Sequence, residues 1–102
     1  MPEAIDQRSH LAEVLRLKGW ILMRRGRGDE AETPLREAID WARQQQAKSW
    51  ELRASTTLAE LLVERGHRNA ARAQLAPIYN WFTEGFDTHD LKAARRLLDS
   101  LG

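Results

Sequence analysis

The chain contains no cysteine, which excludes disulfides, thiolate metal sites and a thiol nucleophile and is compatible with a reducing cytoplasm. Long apolar runs are missing too: the longest stretches are a few residues, against the roughly 20 a membrane-crossing helix needs. The acidic opening Met1-Pro2-Glu3-Ala4 is unlike a secretion signal. An excess of either charge is lacking, since 16 Lys+Arg face 15 Asp+Glu for a net +1. No overall field therefore draws the chain to nucleic acid or an anionic membrane, and any such claim must rest on a local cluster. Neither an alternating strand pattern nor an Asn-Gly or Asp-Gly hairpin signal occurs. These absences together predict a soluble, cytoplasmic, all-α domain.

What is present repeats. Leu22, Arg25, Gly26, Ala31, Leu35 and Trp41 return as Leu62, Arg65, Gly66, Ala71, Leu75 and Trp81, a register of 40 residues (62 − 22 = 40). Gly19 and Ala38 become Ala59 and Ile78. A period between about 20 and 50 residues marks stacked supersecondary units, none of which buries its apolar face alone. The helix-period positions predict a single domain over 1–102, with unit 1 at about 9–46, unit 2 at about 49–85 and a closing helix at about 88–101.

From Ser9 as N-cap, Leu11, Val14, Leu15, Ile21 and Leu22 recur at helical spacing, and Arg24-Arg25-Gly26-Arg27-Gly28 is a stop signal with cations and glycine. Asp29 is the expected cap of the second helix, whose buried stripe is Ala31, Leu35, Ala38, Ile39 and Ala42, with a distortion expected at Pro34. Ser49 and Trp50 open the third helix, which carries Leu52, Leu58, Ala59, Leu62 and Val63. The fourth carries Ala71, Leu75, Ile78, Tyr79 and Phe82, with a kink expected at Pro77 and an end at Gly85-Phe86. Asp87 with Asp90 resembles a capping box ahead of Leu91, Ala94, Leu97, Leu98 and Leu101. Short connectors then give two antiparallel helix pairs and a closing helix. Trp41 and Trp81 are read as core or inter-repeat packing, and Trp50 as an exposed residue.

The small/large pattern Gly19, Leu22, Ala31, Leu35, repeated as Ala59, Leu62, Ala71, Leu75, resembles the tetratricopeptide repeat, although Leu15 and Ser55 stand where that family favours Trp and the period exceeds its 34 residues. The wording Ala47-Lys48-Ser49-Trp50-Glu51-Leu52-Arg53, together with Leu75 to Lys92 and Leu15-Arg16-Leu17-Lys18-Gly19, looks like the C-terminal repeats of large bacterial signalling proteins. Those proteins join an adenylate or guanylate cyclase domain, or a DNA-binding output domain, to an ATPase module and a helical array. The resemblance implies a right-handed array of five helices acting as a protein-interaction scaffold in bacterial signalling or regulation. Activities of the other domains do not carry over, because no phosphate-loop glycines or cyclase carboxylates are present.

In that family the first helix of each unit lines a concave groove. The matching positions here are Glu13, Arg16, Trp20 and Met23, then Arg53, Thr56 and Glu60, then Arg96. Trp and Arg anchor interfaces most often, so these residues are the candidate partner-binding groove for a peptide or a partner helix. Helix 1 has no repeat packed ahead of it, so its open face is expected to seek a partner, and self-association into a homodimer through that face is a second expectation. Arg24, Arg25, Arg27, Arg65 and Arg68 form a candidate basic edge, the basis of an alternative as a weak RNA or DNA binder; no aromatic is interleaved with them to stack on bases. The structural alternative is a C-terminal cap that only finishes a longer array. His10, His67 and His89 lie on separate elements without a ligand one turn away, so no metal is expected. No cofactor is expected either, and without an assembled acid, base and nucleophile the sequence is read as that of a non-enzyme.

Overall fold

The computed structural model describes residues 3–85 and 88–101, with side chains from His10 onward. It contains α1 (Glu3–Arg24), α2 (Gly28–Gln44), α3 (Lys48–Glu64), α4 (Arg68–Trp81) and α5 (His89–Leu101), and no strand among the described residues.

One turn, used three times, sets the architecture. After α1 the N–H of Arg27 donates to the carbonyl of Leu22 at 2.8 Å and that of Gly26 to Met23 at 3.0 Å, with Gly26 at φ 76°. After α3 the same bonds run from His67 to Leu62 at 2.8 Å and from Gly66 to Val63 at 3.0 Å, with Gly66 at φ 82°. This is the Schellman arrangement, in which a left-handed residue lets two N–H groups turn back onto the last free carbonyls. Between these two, α2 ends in the same way: Ala47 donates to Ala42 at 2.9 Å and Gln46 to Arg43 at 3.0 Å, with Gln46 at φ 55°. The left-handed positions 26, 46 and 66 are thus evenly spaced, and the 40-residue repeat is built of half-periods.

Each turn leads straight into the next helix, which overturns the expected cap at Asp29 and opens the third helix one residue ahead of Ser49. α2 begins at Gly28 with Arg27 in the cap position, and α3 at Lys48 with Ala47 there; neither has a side-chain cap bond. Asp29 and Ser49 therefore lie inside first turns, because the Schellman turn fixes the next start two residues after the left-handed residue. Ser9 is likewise no cap, since α1 already runs from Glu3. Thr88 does cap α5, its Oγ1 accepting from the Leu91 N–H at 3.4 Å. The proposed box with Asp87, and Phe86 beside it, lie outside the described residues. α2 and α4 run through Pro34 and Pro77, and α4 stops at Trp81 with Phe82 extended.

Each helix packs on the next in sequence, and α3 also touches both α1 and α5, whereas α2 and α4 do not meet. The odd-numbered helices therefore form a continuous layer and the even-numbered ones stand apart behind it, in a slab of 44 × 33 × 19 Å. Its thickness is about two helix diameters. The core lies between the layers: Ala31, Leu35, Ala38 and Ile39 of α2, Leu52, Leu58, Ala59 and Leu62 of α3, Ala71, Leu75 and Ile78 of α4, and Leu91 and Ala94 of α5. Gly19 is buried where α1 crosses α2, and a Cβ there would lie 2.5 Å from Cγ of Leu35.

Helix α1 departs from the expected single apolar stripe. Ala12 is buried and Leu15 and Leu22 pack on the core, but Leu11, Val14, Leu17 and Ile21 are exposed. They face away from α2 and nothing among the described residues covers them. Trp81, expected in the core, is 55% exposed at the last turn of α4, edge-on to Phe82 and under the Lys48 ammonium at 5.3 Å.

Candidate interaction groove

The continuous layer of α1, α3 and α5 carries two adjoining depressions that share Trp20 and Glu60. One, of about 300 Å³, is lined by Arg16, Trp20, Arg53, Thr56, Thr57, Glu60, His89, Asp90 and Ala93; the other, of about 390 Å³, by Trp20, Met23, Arg24, Glu60 and Glu64. Trp20 is 42% exposed and forms their common wall, with the Arg24 guanidinium 5.4 Å from its ring centroid.

The floor is a network of charges. Arg16 forks onto Glu13, with Nε to Oε1 at 2.9 Å and Nη2 to Oε2 at 2.7 Å, and its Nη1 donates to Oγ1 of Thr57 at 3.3 Å. Arg53 reaches Oε2 of Glu13 at 3.4 Å and Oδ2 of Asp90 at 3.0 Å, and lies 5.1 Å from the Trp50 ring centroid. Glu13 and Arg53 occupy the same register position one period apart, so neighbouring helices bring opposite charges face to face. The Arg16 hydrogen bond holds the Glu13 carboxyl below the ordinary range; burial, the next-largest effect, opposes it, and the smaller fields of Arg16 and Arg53 reinforce it. The bond to Asp90 raises Arg53 further. Both guanidiniums are thus neutralised from within the chain.

Glu60 differs. Its surroundings remove water from it and Glu64 stands nearby, so its carboxyl is pushed above the ordinary range, with Arg16 only a weak counterweight. Among the described residues no cation lies within ion-pair distance of Glu60 or Glu64. The second depression therefore has an aromatic wall and sets two carboxylates, Glu60 and Glu64, against one cation, Arg24.

Of the groove residues expected from the sequence, Glu13, Arg16, Trp20, Met23, Arg53, Thr56 and Glu60 are gathered here, Glu13 beneath the surface as the partner of both arginines. Arg96 lies further along α5, exposed, and lines neither depression. His89, Asp90 and Ala93 of α5 take part instead. Their signal was in the register, since Ala93 follows Glu13 and Arg53 at intervals of 40 and Asp90 stands one turn before it.

The basic edge is largely tied down. Arg24 lies on Trp20, Arg27 forks onto Glu30 at 2.7 and 2.8 Å, Arg65 meets Glu32 at 3.4 Å, and Arg68 donates to the carbonyl of Ser100 at 2.7 Å. Arg25 alone of the five has no partner among the described residues. No helix in the described residues is long and apolar enough to cross a membrane, and no group of three or more His, Asp or Glu there is placed to hold a metal ion. No protein-family model, curated protein or solved structure matches the chain.

Proposed function

We propose that the chain is a non-catalytic, tetratricopeptide-like interaction module that binds a peptide segment carrying a basic side chain in the groove of α1, α3 and α5. The observation that carries this reading is the charge balance of the groove: Arg16 and Arg53 are held by Glu13 and Asp90, while Glu60 and Glu64, beside exposed Trp20, have no ion-pair partner among the described residues and face one cation, Arg24, which lies on the indole. A Lys or Arg from a partner would sit between the two carboxylates, and its aliphatic stem would lie on the indole, removing apolar surface from water while pairing their charge. The tetratricopeptide-like arrangement is supported by the close layer of odd-numbered helices and by the small residue at the α1–α2 crossing. A role in bacterial signalling rests on the resemblance carried by the stretches Leu15 to Gly19, Ala47 to Arg53 and Leu75 to Lys92.

The terminal-cap reading has one observation in its favour, the exposed polar face of α5 formed by Lys92, Arg95, Arg96 and Asp99. Fluorescence-anisotropy screening of the full chain against a charge-varied peptide library decides between the two. Binders enriched in Lys and Arg, weakened by Glu60→Gln and lost with Trp20→Ala while far-UV circular dichroism is unchanged, support the groove. A library with no binders, or with only acidic ones, overturns it.

A further inference from the structure

The uncovered side of α1 has an internal counterpart that shows what fits it. Val14, Leu17, Lys18, Ile21, Leu22 and Arg25 line a mainly apolar depression of about 380 Å³ on the opposite side of α1 from the groove floor. One period later the same register positions on α3 are Ala54, Thr57, Leu58, Leu61, Leu62 and Arg65. Five of those are buried, at 1%, 4%, 0%, 1% and 5% exposure in that order. The sixth, Arg65, is paired with Glu32 of α2 at 3.4 Å.

What covers them is the preceding hairpin. Gly28 of α2 lies so close over Leu61 that a Cβ on it would be 3.0 Å from Cδ1, and Arg16 of α1 reaches Thr57 at 3.3 Å. At the far end Arg43 of α2 meets Glu51 at 3.1 Å. The α2–α3 contact is therefore antiparallel, with a small residue over the counterpart of Ile21 and an acid on the counterpart of Arg25. At the other end the register changes chemistry, because Glu51 corresponds to exposed Leu11.

We propose that the α1 face is a second docking site, distinct from the groove, that takes one amphipathic helix antiparallel to α1, shaped like α2 and flanked by acidic residues. Its small residue packs over Ile21, an acidic residue one turn later pairs with Arg25, and an apolar residue rather than a cation meets Leu11. Charge complementarity selects this occupant. Arg25 and Lys18 have no carboxylate partner among the described residues, and Lys18 stands where α3 has wholly buried Leu58. A second copy of the chain fits poorly, because α1 against α1 would place these cations on both sides of an apolar seam, and like charges at a contact oppose binding. Helix-in-groove recognition through anchors three and four residues apart is the general mode.

The probe is a synthetic peptide of residues 27–47, the chain's own α2 sequence, held helical by a lactam bridge on its solvent side. It is titrated into the full-length isotope-labelled chain and followed by NMR. Saturable shifts confined to Val14, Leu17, Ile21 and Arg25 are expected. A peptide carrying Glu32→Lys should bind about tenfold more weakly, and Arg25→Glu in the chain should restore its binding. Any of three results would overturn the proposal: no shifts up to millimolar peptide, shifts at Leu58 and Leu61 from displacement of the resident α2, or equal binding of the charge-reversed peptide. A concentration-dependent dimer in sedimentation, abolished by Leu17→Lys, would overturn it in favour of a second copy.

Discussion

Replacing Gly19 with alanine sets two well-known effects against each other, and the structure decides the sign. Gly19 is inside α1, where alanine is favoured over glycine by about 1 kcal/mol through backbone entropy alone. A Cβ there would lie 2.5 Å from Cγ and 2.8 Å from Cδ2 of Leu35, and 3.1 Å from the carbonyl oxygen of Ala31. Carbon atoms prefer about 3.5–4.0 Å. Cγ is the branch point of Leu35, a side chain with 0% exposure, so relief requires α1 and α2 to move apart rather than one methyl to rotate. Overpacking of this kind costs about 1–3 kcal/mol. Because the closest atom is a branch point at 2.5 Å, the upper part of that range, about 2–3 kcal/mol, applies; with the propensity gain of about 1 kcal/mol subtracted, Gly19→Ala should destabilise by about 1–2 kcal/mol, or roughly 4–15 °C in Tm for a domain of this size.

The assay is urea unfolding followed by circular dichroism, repeated in a Leu35→Ala background. That change costs about 2–5 kcal/mol by itself, less than most of the roughly 5–15 kcal/mol that stabilises a domain. With the leucine branch gone, only the Ala31 carbonyl oxygen at 3.1 Å still crowds the added methyl, so the destabilisation should fall to about zero, with at most about 1 kcal/mol regained from helix propensity. A Gly19→Ala chain as stable as its parent, or one equally destabilised with and without Leu35, would refute the reasoning. The second repeat already holds alanine at this register as fully buried Ala59, so the two crossings need not be equally close.

Gln46→Gly should stabilise by about 1 kcal/mol, because a side chain at φ 55° is relieved; an unchanged urea midpoint would contradict that origin. Trp20→Ala should leave the helical signal intact and abolish binding of basic peptides, as anisotropy would report. Because the Glu60 carboxyl is raised, a basic peptide should bind better as pH climbs through that raised value and the carboxylate forms. In Glu60→Gln this pH dependence should vanish. Glu13 has the opposite sign: its lowered carboxyl contributes stability that is present above the ordinary glutamate range and is lost as pH falls through the lower folded value. The urea midpoint of the parent should therefore fall more steeply than that of Glu13→Gln between pH 5 and about pH 3.

The all-helical fold and most helix ends were legible because Gly26 and Gly66 mark left-handed turns after arginine-rich last turns. The turn at Gln46 has the same backbone without the glycine, so the half-period was hidden and the opening of α3 was read one residue late, at Ser49; that of α2 was read at Asp29, the nearest capping residue type. Side-chain caps matter less where a Schellman turn has already set the next helix. The buried stripe of α2 was readable because its other face is polar. That of α1 was not, because Leu11, Val14 and Ile21 satisfy the same helical spacing while facing outward, and periodicity reports apolar positions without saying which of two apolar sides meets the core. Trp81 misled for a related reason: its register matched that of Trp41, but α4 ends there and leaves the ring at the surface. Asp90 and His89 were missed because α5 was read through its apolar residues, which say nothing about what its first turn faces.

Charge pairing separates surfaces that composition cannot. A net charge of +1 conceals two unbalanced sites of opposite sign on either side of α1, each beside exposed apolar side chains. On the groove side of α1, Glu60 and Glu64 of α3 have no ion-pair partner and outnumber the one cation beside Trp20, Arg24; on its outer side, Lys18 and Arg25 have no carboxylate partner among the described residues next to Leu17 and Ile21. Most other arginines that sequence reading gathers into a groove or a basic edge are tied to a carboxylate, a carbonyl or an indole, and such pairs at the surface are worth about 0–1 kcal/mol and exert little field beyond themselves. Recognition therefore concentrates where burial of apolar area and an unmatched charge coincide. Because the two sites differ in sign, one partner helix cannot satisfy both in the same way, so excess basic peptide should leave the α1 outer face free to take the acidic-flanked helix. Competition between the two probes would mean that the sites are coupled through α1, and simultaneous binding that they are independent.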